Sequence, residues 1–449
     1  MTSATSGHRG APLSGRYVVL IGIVLVALNL RIAVAAVSPI LDLVRLDVAL
    51  DDAQAGLLGT VPVIMFALFG SLAPLLARRF AIEPVLVVAM LVSAGGEIAR
   101  SQASGAVEFL AWSAVALAGM GIGNVLLPPL VKRYFPDRIG LVTAVYSTAL
   151  AVSTMVPPLL AVPVARQMGW RVSLGVWAVV GVAAALPWVG VMVQSAVARR
   201  RMRGILAAAT QLRQGEAPTP ARPGPAPLAG APVVPTGAVW RSPLAWGMTL
   251  MFSMNSLNAY TMFAWLPQIL VDAGISEAGA GRWLAVFSLL GIPTSFVVPL
   301  LATRMRNPLA IVIVFEACLV AGYLGLMLSP ASGTAAWTLL AGLGLGTFPL
   351  ALALMNLRTR SAAGAVQLSG FSQGVGYAIA GVGPVLVGVL HAATGGWTAP
   401  FVLLFVSLAV LLGGAVVACR PVMLEDTWEP RTAASDPAVA SVGSTGDPR

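Results

Sequence analysis

The chain has 449 residues, of which 58% are hydrophobic and only 10% are charged, and its net charge is +10. A soluble protein carries about 25% charged residues, so this composition excludes a fully water-facing surface. The long apolar runs instead predict an all-α integral membrane protein.

Rare residue types exclude several functional classes. Lys132 is the sole lysine and lies in Pro-Leu-Val-Lys-Arg-Tyr, whereas a phosphate-binding P-loop requires G-x-x-x-x-G-K-[ST]. Cys318 and Cys419 form no C-x-x-C motif, and His8 and His391 lie far apart. We therefore expect no metal, no cofactor, no nucleic-acid partner and no enzymatic activity, and an ion or solute gradient as the energy source of any transport.

Apolar runs in chain order predict twelve membrane-spanning helices, each near the ~20 residues that a bilayer requires. The predicted spans are 17–40, 54–77, 84–103, 107–131, 139–163, 170–194, 244–269, 281–303, 308–328, 336–357, 364–390 and 397–419. The small residues 33–35 are similar to a signal-peptide cleavage site. Because Asn29 and Arg31 interrupt the apolar run and apolar residues continue to Leu41, we expect the first span to be retained.

Polar segments divide the chain into two membrane domains. Residues 1–16 precede the first span, a basic and Pro-rich segment occupies 195–243, and a polar tail occupies 421–449. Such compositions are typical of flexible linkers and disordered tails. The predicted domains are therefore two six-helix bundles, 17–194 and 244–420.

The distribution of basic residues predicts the orientation in the membrane. If both termini are cytoplasmic, most of the 27 Lys and Arg residues are cytoplasmic, and the opposite side holds only Arg45, Arg100, Arg166, Arg171 and Arg282. Cytoplasmic loops are enriched in Lys and Arg. The sequence thus predicts a multi-pass plasma-membrane protein with both termini in the cytoplasm, and the basic cluster 199–203 is typical of a segment that contacts anionic membrane lipid.

The two halves repeat in sequence. Pro74–Ala77 recurs as Pro299–Ala302, and the Gly-x-Gly-x-Gly pattern of Gly119–Gly123 recurs as Gly342–Gly346, at a nearly constant offset. Two six-helix halves in parallel orientation are typical of one class of secondary transporters.

Four segments resemble a known transporter family. They are Ala27–Arg31 followed by Ser38-Pro39, Gly121–Arg133, Ala264–Pro267, and Leu368–Tyr377 followed by Gly383-Pro384. The chain resembles the major facilitator superfamily over nearly its whole membrane region, and these segments look like those of its cyanate-permease and nitroimidazole-transporter members. The resemblance implies the major facilitator fold, a monomer, and a carrier of cyanate, another small anion or a nitroimidazole-like compound.

Two positions depart from the family pattern. The superfamily loop G-x-L-A-D-R-x-G-R lacks its Asp here, because Pro74 follows Gly70–Ala73. Arg78 and Arg79 remain candidate gating residues of that loop. Asn255 stands where the resemblance leads us to expect glutamine, which weakens the inference about the substrate.

Arg31 is the central candidate for substrate binding. It lies near the middle of the first span, where a charge costs at least ~2.5–3.5 kcal/mol on insertion scales and should face a cavity or a partner. Its planar guanidinium suits a carboxylate-like or linear anion. The alternative is a structural arginine that binds backbone carbonyls or reaches the membrane interface.

Other polar residues are candidates for the same site between the halves. They are Asn29, Asn124, Asn255, Asn258, Tyr260, Gln373 and Tyr377. Gln373 and Tyr377 are i, i+4 and share a helix face, as do Asn255 and Asn258 at i, i+3. The alternative for each residue is an interhelical hydrogen bond.

Glu97 and Glu316 are the candidate proton-coupling residues, because burial favours a neutral carboxyl group. Glu97 and Arg100 are three residues apart, so a local ion pair is the alternative. Both glutamates lie on helices that are peripheral in this superfamily.

These observations predict a secondary active transporter of a small solute, with a cyanate-like anion as the first hypothesis. Proton-coupled efflux of nitroimidazole-like or other small drug compounds is the alternative within transport. A membrane sensor would need a folded soluble domain, and a membrane enzyme would need convergent catalytic residues; the sequence indicates neither.

Overall fold

The computed structural model describes residues 13–214 and 238–427, and regular structure within these ranges is helical. The α-helices are α1 (Leu13–Asn29), α2 (Ile32–Ala35), α3 (Leu41–Asp47), α4 (Asp52–Phe80), α5 (Ile82–Ser101), α6 (Ala106–Tyr134), α7 (Ile139–Met168), α8 (Trp170–Gly175), α9 (Ala178–Gln214), α10 (Pro243–Asp272), α11 (Glu277–Leu289), α12 (Gly291–Arg304), α13 (Leu309–Leu328), α14 (Thr334–Gly344), α15 (Thr347–Leu357), α16 (Ala362–Ala380), α17 (Val382–Thr394) and α18 (Thr398–Ala418). Short 3-10 turns occupy Ser38–Ile40, Val239–Arg241 and Leu424–Thr427.

Eleven helical segments of the described ranges are long and apolar enough to cross a membrane. The 30-residue α10 also has membrane length, but Ser253, Asn255, Ser256 and Asn258 make its sequence more polar. All four side chains are buried in the protein, where polar groups of a membrane helix are tolerated. The predicted all-α, two-half membrane architecture is confirmed.

Several described spans are interrupted near their middle, including those broken at Leu290 and Gly381. The first span unwinds between α1 and α2 at Leu30 and Arg31, and the tenth unwinds between α14 and α15 at Leu345 and Gly346. Arg31 itself has φ −119° and ψ −8°. Non-helical backbone at membrane depth requires partners within the protein or a polar cavity, so these breaks mark where a polar site can form.

Several helix pairs join the halves of the molecule, and one of them is formed by α6 and α16. α4 packs against α16, and α7 packs against α12. Close approach depends on glycine: a Cβ on Gly370 would lie 2.0 Å from Cγ of Pro74. Ser147 of α7 adds a hydrogen bond of 2.7 Å to the carbonyl oxygen of Ser295.

Two predicted boundaries change. The sixth span was expected to end at 194, but α9 continues to Gln214 and includes the basic cluster. Of the predicted linker, residues 215–237 lie outside the described residues, as do 1–12 and 428–449.

The prediction of a disordered tail from 421 is wrong for its first seven residues. Leu424 is buried, and the Glu425 carboxylate accepts hydrogen bonds from the backbone N–H groups of Arg360 and Ser361 at 3.0 and 3.1 Å. These N–H groups precede α16, where the helix dipole favours an anion. The tail is therefore attached at this point by a charged helix cap.

We call the side of the bundle that carries the end of α9 and the start of α10 the linker side. Lys132 joins the two halves on this side. Its ammonium group donates hydrogen bonds to the carbonyl oxygen of Asn356, at 2.7 Å, and to that of Thr359. These carbonyls lie at the C-terminal end of α15, where a cation is stabilised by the helix dipole. The linker side is closed in this structure.

We expect Lys132→Met to open the linker side. Hydrogen bonds to a charged group contribute about 1.5–3 kcal/mol, so their loss should raise the ratio of open to closed molecules about tenfold or more. Spin labels at Arg138→Cys and Arg306→Cys, in a Cys318→Ser, Cys419→Ser background, report the distance between the halves by pulsed electron resonance.

Arg133→Met is the matched control, because Arg133 pairs with Glu83 within the same half, at 3.0 Å. We expect it to retain the wild-type distance distribution. Identical distributions for the wild type and Lys132→Met would contradict a gating role for Lys132.

Candidate functional site

The break in the first span brings Arg31 to the interface between the halves. Its Nη2 donates a hydrogen bond of 3.1 Å to the hydroxyl oxygen of Tyr377, which belongs to α16 of the other half. The guanidinium carbon lies 5.2 Å from the ring centroid of Phe66, within the range of a cation–π interaction. Arg31 is partly buried, and its contact with Tyr377 places its charge between the two halves.

A hydrogen-bond network surrounds Tyr377. Asn124 Nδ2 donates to the Tyr377 hydroxyl at 2.8 Å and to Gln373 Oε1 at 2.7 Å. Gln373 Nε2 in turn donates to Ser369 Oγ at 2.7 Å. The Tyr377 oxygen accepts from two donors, which leaves its own O–H proton available to donate. Four predicted residues thus meet here: Arg31, Asn124, Gln373 and Tyr377.

Aromatic rings enclose the same point. The ring centroid of Tyr377 lies 5.4 Å from that of Phe66, 5.1 Å from that of Phe252 and 6.4 Å from that of Tyr260. Rings at these separations pack favourably. Tyr260 was among the predicted site residues, whereas Phe66 and Phe252 were missed because aromatic residues in apolar spans usually belong to the core.

Two donors near the network lack a partner. Arg31 Nη1 and Asn255 Nδ2 are buried and make no hydrogen bond in the described part of the chain. Asn255 lies one turn along α10 from Phe252, and its Oδ1 accepts from Thr347, the first residue after the break in the tenth span. A buried donor without a partner costs about 1–3 kcal/mol, so both atoms favour a ligand that offers acceptors.

Two predicted site residues lie elsewhere. Asn29 Nδ2 donates to Ser93 of α5 at 3.1 Å, and Asn258 Nδ2 donates to Ser407 of α18 at 2.8 Å. Asn258 also accepts from Tyr323 of α13 at 3.0 Å. The structure therefore does not bring these two asparagines to the network, since each faces a neighbouring helix of its own half.

The acidic candidates also lie away from the network. Glu97 and Arg100 interact electrostatically, as expected, but they make no direct ion-pair contact within the described residues. Arg100 Nη1 donates to the carbonyl oxygen of Ala33, at 3.0 Å. This carbonyl follows the break in the first span, which explains why it attracts the guanidinium. Glu316 lies on α13, which packs mainly against α14 and α18.

The predicted gating residues Arg78 and Arg79 are exposed. The Arg79 guanidinium carbon lies 5.7 Å from the ring centroid of the adjacent Phe80. Neither arginine forms an ion pair within the described ranges, and their gating role stays a prediction.

Lys132 was not predicted as a contact between the halves. Two features of the sequence could have indicated it: Lys132 is the only lysine, and it lies at the end of a predicted span.

A helical bundle of two six-span halves, with interrupted helices around a polar centre, is typical of membrane transporters. Residues 19–381 match the family model of the Major Facilitator Superfamily. The chain belongs to this superfamily, as the resemblance predicted, and is a multi-pass membrane transporter of small solutes.

Named relatives support this membership. The chain is 35% identical over 406 residues to the 2-nitroimidazole transporter of Escherichia coli (strain K12), covering 89% of this chain and 94% of the relative. It is 25% identical to the cyanate transport protein CynX of the same organism, covering 84% and 91%. The fold resembles that of the proton:xylose symporter XylE, with a TM-score of 0.65 at 14% identity, covering 93% of this chain and 99% of that one.

Tyr377→Phe should lower the thermal stability of the purified protein. The substitution leaves the donors of Arg31 and Asn124 without their acceptor, which costs about 1–3 kcal/mol per buried group. Tyr260→Phe is the control, because the Tyr260 hydroxyl makes no hydrogen bond within the described residues. Equal unfolding temperatures for the two variants in detergent would argue against the network.

Proposed function

We propose that this protein is a secondary active transporter of a small anion and that Arg31 binds the anion during alternating access. The observation that carries the proposal is the unpartnered Nη1 of Arg31. Within the described ranges no acidic side chain pairs with this guanidinium, and its only polar contact is the neutral Tyr377 hydroxyl. A bound anion would neutralise a charge that is costly at membrane depth.

The surrounding geometry supports a small planar or linear anion. A guanidinium offers two parallel N–H donors to one acceptor group, and Nη1 and Nη2 of Arg31 are its outer donors. The Tyr377 O–H can supply a further donor. An anion that accepts these hydrogen bonds replaces the contact between Arg31 and Tyr377, which itself joins the two halves.

Several features of the transport cycle belong to the same proposal. The charge asymmetry supports cytoplasmic termini in the plasma membrane, and the linker side then faces the cytoplasm. Closure by Lys132 and by the α4–α16 and α7–α12 pairs supports a cytoplasm-closed state. We propose that the protein works as a monomer without a bound cofactor.

Transport of a nitroimidazole-like compound, with efflux as its direction, is the second candidate. The rings of Phe66, Tyr260 and Tyr377 around the guanidinium favour a flat aromatic solute. Its nitro oxygens could accept from Arg31 while its ring stacks on an aromatic neighbour. The relative named as a 2-nitroimidazole transporter also supports this candidate.

Arg31→Gln should abolish the thermal stabilisation of the protein by cyanate and other small anions. Loss of a charge-assisted contact of about 1.5–3 kcal/mol weakens binding about tenfold or more. Thermal-shift titrations of purified protein with cyanate, benzoate and 2-nitroimidazole measure this effect. Arg133→Gln, which changes an arginine outside the site, is the matched control.

Each outcome of this titration is decisive. Anion binding in the wild type that is lost only in Arg31→Gln supports the first candidate. Stabilisation by 2-nitroimidazole but not by the anions favours the second. Unchanged anion affinity in Arg31→Gln would remove Arg31 from the binding site.

Phe66→Leu should separate the two candidates. Loss of a stacking ring costs about 0.5–1.5 kcal/mol beyond burial, so the affinity for 2-nitroimidazole should fall several-fold while cyanate binding changes little. Phe109→Leu, in a buried aromatic contact with Trp170 at 6.2 Å, is the control for core packing. Equal losses for both solutes would indicate that Phe66 only supports the position of Arg31.

A further inference from the structure

A short segment after the last span, Leu424–Thr427, packs against the turn between α15 and α16, and we call it the tail segment. The backbone N–H of Leu424 donates to the carbonyl oxygen of Arg358 at 2.8 Å, and the Leu424 side chain is fully buried. The Thr427 hydroxyl donates at 2.7 Å to that of Ser242, the residue that caps α10. The tail segment is therefore attached at both of its ends.

Glu425 is the charged residue at the centre of this attachment, and only 7% of it is exposed. Its carboxylate accepts hydrogen bonds from the backbone N–H groups of Arg360 and Ser361, at 3.0 and 3.1 Å, and from the Ser361 hydroxyl at 3.2 Å. A Cβ atom on Gly364 would lie 2.4 Å from Glu425 Oε1, so the carboxylate lies directly against the first turn of α16. A buried charge needs such partners, and they fix the carboxylate at this place.

The same turn also binds the other half of the molecule. Lys132 of α6 donates to the carbonyl oxygens of Asn356 and Thr359, and Thr359 is followed directly by the residues that hold Glu425. Lys132 and Glu425 also interact electrostatically across the turn, and such an attraction is stronger where water is largely excluded. The position of the two carbonyls, and the charge beside them, therefore depend on Glu425.

We propose that the tail segment is an intramolecular latch that keeps the linker side closed, with Glu425 as the positioning residue for the contact between Lys132 and the α15–α16 turn. With Glu425 in place, the turn presents both carbonyls to the ammonium group. When the carboxylate leaves the start of α16, the turn loses its fixed position and Lys132 loses a nearby negative charge. The closed state then becomes less stable relative to the open one.

This latch acts before any solute binds. No atom of the proposed solute site at Arg31 takes part in these contacts, so the latch sets the equilibrium between open and closed molecules in the solute-free protein. The inference rests on the closing role of Lys132. It does not rest on the identity of the solute, and failure of the anion site would leave the following test unchanged.

The test measures the distance between the halves in the full-length, solute-free protein, with spin labels at Arg138→Cys and Arg306→Cys in the cysteine-free background. In Glu425→Gln we expect the ratio of open to closed molecules to rise about three- to tenfold, as for a charge lost at a helix end. Asp426→Asn is the matched control, because Asp426 pairs with Arg360 at the exposed surface, at 2.5 Å. Such a pair contributes little, so this variant should keep the wild-type distribution.

Gly364→Ala displaces the carboxylate without changing any charge. The added methyl group would lie too close to Glu425 Oε1, and alanine favours a helix more than glycine does, so α16 itself is not weakened. We expect the same opening as in Glu425→Gln. Thermal unfolding of each variant verifies that the fold is retained.

A double-mutant cycle tests whether Glu425 acts through Lys132. In the Lys132→Met background we expect Glu425→Gln to change the ratio by less than about twofold, because the contact that it positions is already lost. A larger effect in that background overturns the coupling between the tail segment and Lys132. Equal opening in Asp426→Asn overturns the assignment to Glu425, and wild-type distributions in both Glu425→Gln and Gly364→Ala overturn the latch.

Discussion

Inside a bilayer each backbone N–H and C=O group needs a hydrogen-bond partner within the protein. At the break at Leu30 and Arg31, the backbone of the first span loses the regular hydrogen bonds of a helix. Arg100 supplies a donor to Ala33 just beyond this break. Asn29, just before the break, donates a hydrogen bond to Ser93 of α5, the helix that also carries Arg100. These two contacts hold the broken segment against α5, and the segment in turn directs Arg31 towards the other half.

The hydrogen bonds at the centre cross from one half to the other. Arg31 and Asn124 of the first half both donate to Tyr377 of the second, and Asn124 also donates to Gln373. A solute that accepts from Arg31 competes with Tyr377 for the same donor. In the proposed mode of binding, the solute and the contact between the halves share one set of atoms, so occupancy of the site would shift the equilibrium between positions of the halves.

On the linker side, the two helix ends that flank residues 358–361 each bind a charged side chain. Lys132 binds carbonyls at the end of α15, whereas Glu425 binds N–H groups before the start of α16. Each charge has the sign that its helix dipole favours. Because the cation comes from the first half and the anion from the tail of the second, this short turn connects the contact made by Lys132 with the start of the C-terminal tail.

The membrane class, the two-half architecture and four residues of the central network could be predicted from the sequence, because a polar side chain within an apolar span is costly and therefore conspicuous. The partner that each polar residue meets could not be predicted, because it depends on how the helices pack. Arg31 and Tyr377 are separated by 346 positions yet lie in contact, while Asn29, two positions from Arg31, turns to another helix. Helical periodicity assigns residues to a face, but the packing of distant helices decides what that face contacts, and neither composition nor spacing encodes that packing locally.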